Sequence, residues 1–115
     1  MNEQIEILNS MILELRRGTM LLSVLSQLAE PQYGYYLVQK LEEKGVTIEP
    51  GTLYPLLRRL EKQGLLESNW DTNESRPRKY YLLSAAGQEI YTRLRAEWQG
   101  MVGHMEKMIH QEGGN

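Results

Sequence analysis

The spacing of apolar residues changes once along this chain, and that change limits the folds it can adopt. Up to Leu60 the apolar residues recur three and four positions apart, which is typical of amphipathic helices. After Gly64 they form two six-residue runs, Leu65 to Trp70 and Lys79 to Ser84, around a polar stretch that contains a proline. Beyond Ser84 the helical spacing returns. The pattern predicts a mainly α (α+β) domain with one β-hairpin.

The N-terminal segment carries one helical stripe, formed by Ile5, Leu8 and Ile12. Gly18 then leaves two alternatives. The first helix ends there, or it continues into the helical pattern of residues 19–29, since a lone glycine costs only about 1 kcal/mol. Residues 30–34 are predicted to be a turn because Pro31 cannot continue a helix.

Two more helices precede the hairpin. A short one is predicted over residues 34–44, and the next opens near Pro50 and ends at Gly64. The start of the second is open, because Pro55 lacks an N–H. If the helix starts at Pro50, the hydrogen bond that residue 55 would donate to the carbonyl of Gly51 is missing. If Thr52 is the N-cap, Pro55 lies in the first turn, where N–H groups have no partner within the helix, and no bond is lost. Four leucines mark its inner face: Leu53, Leu56, Leu57 and Leu60.

The hairpin and the last helix complete the pattern. The connection Asp71–Arg78 is eight residues long, which is long for a hairpin. We expect Trp70 in the hairpin core, Tyr80 and Tyr81 on opposite faces, and Ser84 as N-cap of a helix over residues 85–110. Residues 113–115 are predicted to be a frayed tail. That last helix has a heptad stripe typical of a helix–helix seam: Tyr91, Leu94, Trp98, Met101, Met105 and Met108.

The order of elements is that of a winged helix-turn-helix. We assign residues 1–84 to this domain, including the N-terminal helix, and residues 85–115 to a dimerisation helix and tail. On the helix opened by Pro50, small and hydrogen-bonding residues come first and cations later, which suits entry into the major groove by the N-terminus. The candidate DNA-binding residues are Tyr35, Gly51, Thr52, Tyr54, Pro55, Arg58, Arg59, Lys62, Arg76, Arg78 and Lys79.

Composition narrows the function classes. The net charge is −2, so DNA binding has to come from local basic patches, although Asp71 and Glu74 partly offset the second one. The absence of cysteine excludes disulfides, thiol nucleophiles and Cys-ligated zinc. His104 and His110 lie on different helix faces, and we expect no metal, no cofactor and no enzyme activity. The longest apolar run has four residues, so neither a membrane span nor a signal peptide is expected, and the predicted location is the cytoplasm.

Several strings resemble the PadR family of bacterial transcriptional regulators. The longest is Pro50–Glu61, PGTLYPLLRRLE, and the others are RGT at Arg17, YGY at Tyr33, GLLE at Gly64, RKYY at Arg78 and AG at Ala86. The resemblance implies a homodimeric winged-helix repressor of the compact subfamily, with the dimer interface on the C-terminal helix. Two departures stand out. Glu49 replaces the usual Ser or Asn, which weakens the cap, and Tyr36 replaces a common acid.

The candidate dimer and effector seam has eight apolar residues: Ile5, Leu8, Ile12, Tyr91, Leu94, Trp98, Met101 and Met105. Trp98 is either a buried seam aromatic or the wall of a site for a small aromatic or multidrug-like ligand, as in some members of the family. The main hypothesis is therefore a dimeric repressor that binds double-stranded DNA. The alternative is a winged helix that serves protein interaction without DNA, and the exposed basic residues favour the first.

Overall fold

The computed structural model describes residues 2–73 and 75–114, with side chains as far as His110. It is mainly helical with a small antiparallel sheet, as the sequence predicts. The elements, in chain order, are α1 Asn2–Ser26, β1 Gln32–Tyr33, α2 Gly34–Glu43, α3 Pro50–Lys62, β2 Leu66–Asp71, β3 Arg78–Leu83 and α4 Ala85–Gly114. The predicted tail at Gly113 and Gly114 is therefore part of α4, and Asn115 lies outside the described residues.

The first helix runs unbroken through Gly18, so the one-helix alternative is correct. Side-chain hydroxyls bond back to the helix backbone just after the glycine. Thr19 Oγ1 donates to the carbonyl of Arg16 at 2.9 Å, and Ser23 Oγ donates to that of Thr19 at 3.0 Å. The C-terminal third of this helix reaches the core through Val24 and Leu25.

The helix-turn-helix is set by two glycine stops. Gly45 and Gly64 have φ values of +92° and +81°, a left-handed conformation that costs glycine little. The residue after each glycine bonds back five positions, from the N–H of Val46 to Leu41 O at 2.8 Å and from that of Leu65 to Leu60 O at 2.9 Å. The chain therefore leaves α2 and α3 at defined points.

The third helix starts at Pro50, the first of the two predicted starts. The N–H groups of Thr52 and Leu53 both donate to the carbonyl of Glu49 at 2.9 Å. The Glu49 side chain makes no capping bond, in agreement with the weak cap expected. Pro55 lies inside the helix and is exposed, so the missing bond to the Gly51 carbonyl faces solvent.

The sheet has the order β1-β3-β2, with both pairs antiparallel. Asp71 pairs with Arg78 at the outer end of the hairpin, which shortens the connection to residues 72–77; Glu74 within it lies outside the described residues. The prediction of a turn over residues 30–34 is wrong for Gln32 and Tyr33, which form β1 against β3. A two-residue strand is too short to show alternation in the sequence.

The core lies where α1, α2, α3 and the sheet meet. Its buried residues are Val24, Leu25, Leu28, Leu37, Leu41, Ile48, Leu53, Leu57, Leu60, Leu66, Tyr81 and Leu83. Burial of a leucine side chain contributes about 1.5–3 kcal/mol, so these leucines anchor the domain. Tyr81 is buried and Tyr80 half-buried, as their alternation predicts. No helix within residues 2–73 and 75–114 has the length and apolarity that crossing a membrane requires.

Candidate nucleic-acid interface

The outer face of α3 is the centre of the candidate interface. Its three buried leucines share one side. At about 100° per residue the opposite side carries Gly51, Pro55, Arg58 and Lys62, with Thr52, Tyr54 and Arg59 on its edges. Tyr54 is half-buried. The other predicted contact residues of α3 are exposed: Gly51, Thr52, Pro55, Arg58, Arg59 and Lys62. The face therefore presents small residues near the N-terminus and cations beyond them, as the sequence predicts.

Close packing between α2 and α3 holds this face in place. Gly34, the first residue of α2, is buried, and a Cβ there would lie 2.8 Å from Cε1 of Tyr54. Burial of the Tyr54 ring raises the pKa of its hydroxyl, and Tyr81 adds to the effect. Tyr54 thus belongs to the contact between the two helices as well as to the edge of the candidate interface.

Glu61 links the end of α3 to the wing, which we define as β2, residues 72–77 and β3. Its carboxylate accepts a hydrogen bond from Ser68 Oγ and lies 3.3 Å from the Lys79 ammonium. The Ser68 hydrogen bond and then Lys79 lower the pKa of Glu61. The Lys79 ammonium also lies 5.2 Å from the ring centre of Tyr81. Lys79, predicted to contact DNA, is therefore also a structural contact between α3 and the wing.

A second link joins the wing to the residue before α2. The Tyr33 hydroxyl donates to Asp71 Oδ2 at 2.5 Å, and the Asn73 N–H donates to Oδ1 at 3.0 Å. Both bonds lower the pKa of Asp71, and the bond from Tyr33 has the larger effect. The charge of Arg78 lowers this pKa further. The Arg78 guanidinium lies 5.8 Å from the Tyr33 ring centre. Arg76, in the loop between the strands, is exposed.

Aromatic side chains cluster at the start of α2. The rings of Tyr35 and Tyr36 have centres 4.3 Å apart, and Tyr36 also lies 6.0 Å from Tyr33. A side-chain hydrogen bond with Tyr36 raises the pKa of Tyr35. Tyr35 is 53% exposed, and Tyr36 adds the aromatic surface that its departure from the family pattern predicts.

Trp70 is a correction to the sequence analysis, which places it in the hairpin core. It is 63% exposed, because it pairs with Lys79 near the outer end of the hairpin, four residues beyond the core residue Leu66. It lines a groove of about 250 Å³ together with Tyr35 and Tyr54. Alternation with Leu66 predicts the face on which Trp70 lies, but it does not show where the core ends.

The seam residues lie on α1 and α4, outside the core. Tyr91, Leu94 and Ile12 are half-buried, and exposure rises along α4 to 43% at Trp98 and 62% at Met101. Ile5, Leu8 and Met105 are also exposed. An apolar groove of about 380 Å³ lies between α1 and α4. Four seam residues line it, Leu94, Trp98, Met101 and Met105, and its other apolar lining residues include Leu15, Leu22 and Val102.

Two ion pairs one helical turn long lie on the described part of α4, Glu89 with Arg93 and Glu106 with His110. His110 Nε2 lies 2.9 Å from the carboxylate of Glu106, one helical turn away. In the part of the chain that the structure describes, no three His, Asp or Glu side chains come close enough to hold a metal ion.

Comparison with known proteins finds similarity to one group of proteins. The model of the transcriptional regulator PadR-like family matches residues 21–93. The chain is 38% identical over 80 residues to the transcriptional regulator Rv3488 of Mycobacterium tuberculosis, which covers 69% of this chain and 75% of that protein. A PadR family transcriptional regulator from Eggerthella lenta has a similar structure, with a TM-score of 0.89 and 48% identity over 95% of this chain and 97% of that one. A PadR-like transcriptional regulator from Bacillus cereus has a TM-score of 0.73 and 30% identity, over 85% of this chain and 97% of that one.

Proposed function

The chain belongs to the PadR-like family of transcriptional regulators, and from this membership we propose that it is a homodimeric repressor that binds operator DNA in the cytoplasm. The observation that carries the proposal is the outer face of α3. Cations and small residues are exposed there, directly opposite the leucines that hold the helix in the core.

The proposed contacts divide into two classes. Gly51, Thr52 and Pro55 allow the helix backbone to approach the bases of the major groove, where Thr52 and Tyr54 read sequence. Arg58, Arg59 and Lys62 neutralise phosphates, as do Arg76 and Arg78 of the wing. Lys79 adds to the basic surface, but its bond to Glu61 makes it a weaker phosphate ligand than Arg58.

The second copy of the chain is proposed to cover the seam. Monomeric proteins rarely expose contiguous apolar patches larger than a few hundred Å². Here apolar side chains are exposed along both α1 and α4, among them Leu8, Met11, Met101 and Met105. A two-fold dimer places two α3 helices about one helical turn of DNA apart, so the operator is proposed to be a palindrome with that spacing.

The seam also suits a small effector. Trp98 and the thioethers of Met101 and Met105 line the groove between α1 and α4, and methionine adapts to ligands of varied shape. We assign to this groove a planar apolar ligand that relieves repression. Induction requires that the ligand bind one spacing of the two α3 helices more tightly than the other.

The function is tested with the duplex upstream of the protein's own gene. Fluorescence anisotropy is followed as the protein is added at several salt concentrations. Arg58→Ala is expected to lower the slope of log affinity against log salt by about one contact for each subunit, whereas Thr52→Ala changes the preference among operator variants. Parent-like behaviour of both variants would show that α3 does not enter the groove.

A second candidate, a protein-interaction module without DNA binding, is favoured by one observation. Trp70 and Tyr35 are exposed beside α3, and aromatic residues are enriched in the centres of protein interfaces. In the same titration this candidate predicts no binding to the upstream duplex and no salt dependence.

A further inference from the structure

Two adjacent arginines end the acidic part of α1, and the proposed function uses neither. Residues 1–15 contain three glutamates and no Lys or Arg, and Arg16 and Arg17 follow directly. The structure places Arg17 beside the recognition helix α3. Together with Arg59, it lines a groove of about 400 Å³ between α1 and α3.

The lining of this groove has the chemistry of an anion site. Arg17, Arg59 and Thr52 are the polar residues of its lining, and apolar residues complete it: Met20, Leu21, Pro55 and Leu56. No acidic side chain lines it within the described part of the chain. Arginine presents a fixed fork of N–H donors that matches the geometry of a phosphate.

The groove lies on the edge of α3 that is remote from the wing. Thr52 and Arg59 are seven residues apart, which places them within about 20° of each other around the helix. Tyr54, on the other edge, packs against Gly34 and shares its groove with Trp70 of the wing. The exposed face of α3 is therefore bordered by the wing on one side and by Arg17 on the other.

An α-helix with its side chains is about 10–12 Å across, close to the width of the major groove. A helix in that groove therefore has a phosphate backbone along each of its edges. The wing supplies cations on one edge. Building on the proposed function, we propose that Arg17 and Arg59 bind a backbone phosphate on the other edge, so that the recognition helix is held from both sides.

The neighbouring arginine provides a matched control. Arg16 has the same side chain, is exposed, and lies about 100° away around α1. It does not line the groove. Arg16→Gln and Arg17→Gln remove the same charge from the same helix, and they differ only in which face of α1 loses it.

The experiment measures affinity by anisotropy for the upstream duplex and for a scrambled duplex of the same length, from about 50 to 200 mM salt. Arg17→Gln is expected to weaken binding to both duplexes at least tenfold and to lower the salt slope by about two, one for each subunit of the proposed dimer, because phosphates carry no sequence information. Arg16→Gln is expected to match the parent. Arg17→Lys keeps the charge but loses the fork, so it retains the slope and loses only part of the affinity.

Three results would overturn the inference. Equal effects of Arg16→Gln and Arg17→Gln would mean that the charge of α1 acts without a defined contact. Parent-like binding by Arg17→Gln, while Arg58→Gln loses affinity and slope, would remove the phosphate site and leave the proposed function standing. If Arg58→Gln also binds like the parent, then the proposed function fails, and the Arg17 site falls with it. Circular dichroism and thermal unfolding establish that the variants are folded.

Discussion

At the scale of single residues, the position of the wing depends on polar side chains far apart in the sequence. Tyr33 and Asp71 are separated by 38 positions, and their hydrogen bond ties the end of β2 to the residue that precedes α2. Arg78 lies close to both. Because α2 packs on α3 through Gly34, this bond adds an indirect connection between the wing and α3 to the direct one through Glu61.

We predict that Tyr33→Phe raises the pKa of Asp71, because it removes the largest cause that holds this pKa below its usual value. A carboxyl group with a lowered pKa in the folded state stabilises the fold above its unfolded-state pKa, and this contribution is lost as pH falls through the folded value. The variant therefore loses stability near neutral pH and shows a smaller further loss on acidification. Titration of the Asp71 carboxyl carbon by NMR measures the shift directly.

Tyr91→Phe is the control for this prediction. It removes the same hydroxyl from a half-buried tyrosine on α4, where the ring lies under Arg95. An unchanged Asp71 titration in Tyr33→Phe, identical to that in Tyr91→Phe, would mean that Asn73 and Arg78 alone set this pKa.

At the scale of elements, the start of α4 packs closely against the residues around it. Ser84 accepts the Gly87 N–H at 3.0 Å as N-cap and donates to the carbonyl of Gly64 at 2.6 Å. A Cβ on Gly87 would lie only 2.0 Å from the carbonyl oxygen of Leu65. The start of α4 is thereby fixed against the connection between α3 and β2, which sets the direction of the whole helix.

We predict that Gly87→Ala lowers the free energy of unfolding by about 1–3 kcal/mol, the usual cost of forcing extra volume into a packed site. Gly103→Ala on the same helix is the control. It has open space around its Cβ, and it should stabilise the helix by about 0.5–1 kcal/mol. Urea unfolding of both variants measures these changes, and a Gly87→Ala protein as stable as Gly103→Ala would contradict the close contact.

At the scale of the whole molecule, polar and apolar functions lie on different parts of the fold. The candidate DNA-binding cations belong to α3 and the wing, whereas most of the exposed aliphatic side chains extend along the N-terminal half of α1 and the C-terminal half of α4. In the proposed function, this separation leaves separate surfaces for DNA and for a second subunit. In the proposed dimer, a change in the seam would alter the distance between the two α3 helices.

We predict that replacing both Leu94 and Met105 by Glu gives monomers, because two charges would be buried in the seam without partners. Sedimentation velocity at micromolar concentration measures the change in mass. Lys107→Glu introduces the same acidic group on α4 at an exposed residue outside the heptad stripe and should leave the dimer intact. A monomeric parent protein would contradict the proposed assembly.

We predict that a planar dye such as acridine orange quenches Trp98 with micromolar affinity. Aromatic stacking adds about 0.5–1.5 kcal/mol to the burial of apolar area, and few polar groups line the groove to make binding tighter. Trp70→Phe leaves Trp98 as the only tryptophan and should retain both quenching and affinity. Equal quenching and affinity in Trp98→Ala would show that Trp98 serves packing alone.

Much of this architecture follows from the sequence. The leucine spacing in α3 places its outer residues correctly, and Gly45, Gly64 and Ser84 mark element ends as predicted. These features depend on backbone stereochemistry and on neighbours within a few residues, so a short segment contains all the information needed. The resemblance of Pro50–Glu61 to the PadR family adds the expected function.

Other features are decided only by the tertiary structure. Strand β1 exists because β3 lies beside it, and Trp70 is exposed because the hairpin extends past the core. Lys79 is paired because Glu61 faces it, and Arg17 and Arg59 line one groove because the fold brings the middle of α1 near the outer edge of α3. Each depends on residues far apart in sequence being brought together when the core forms, and no local pattern of apolar or charged residues contains that information.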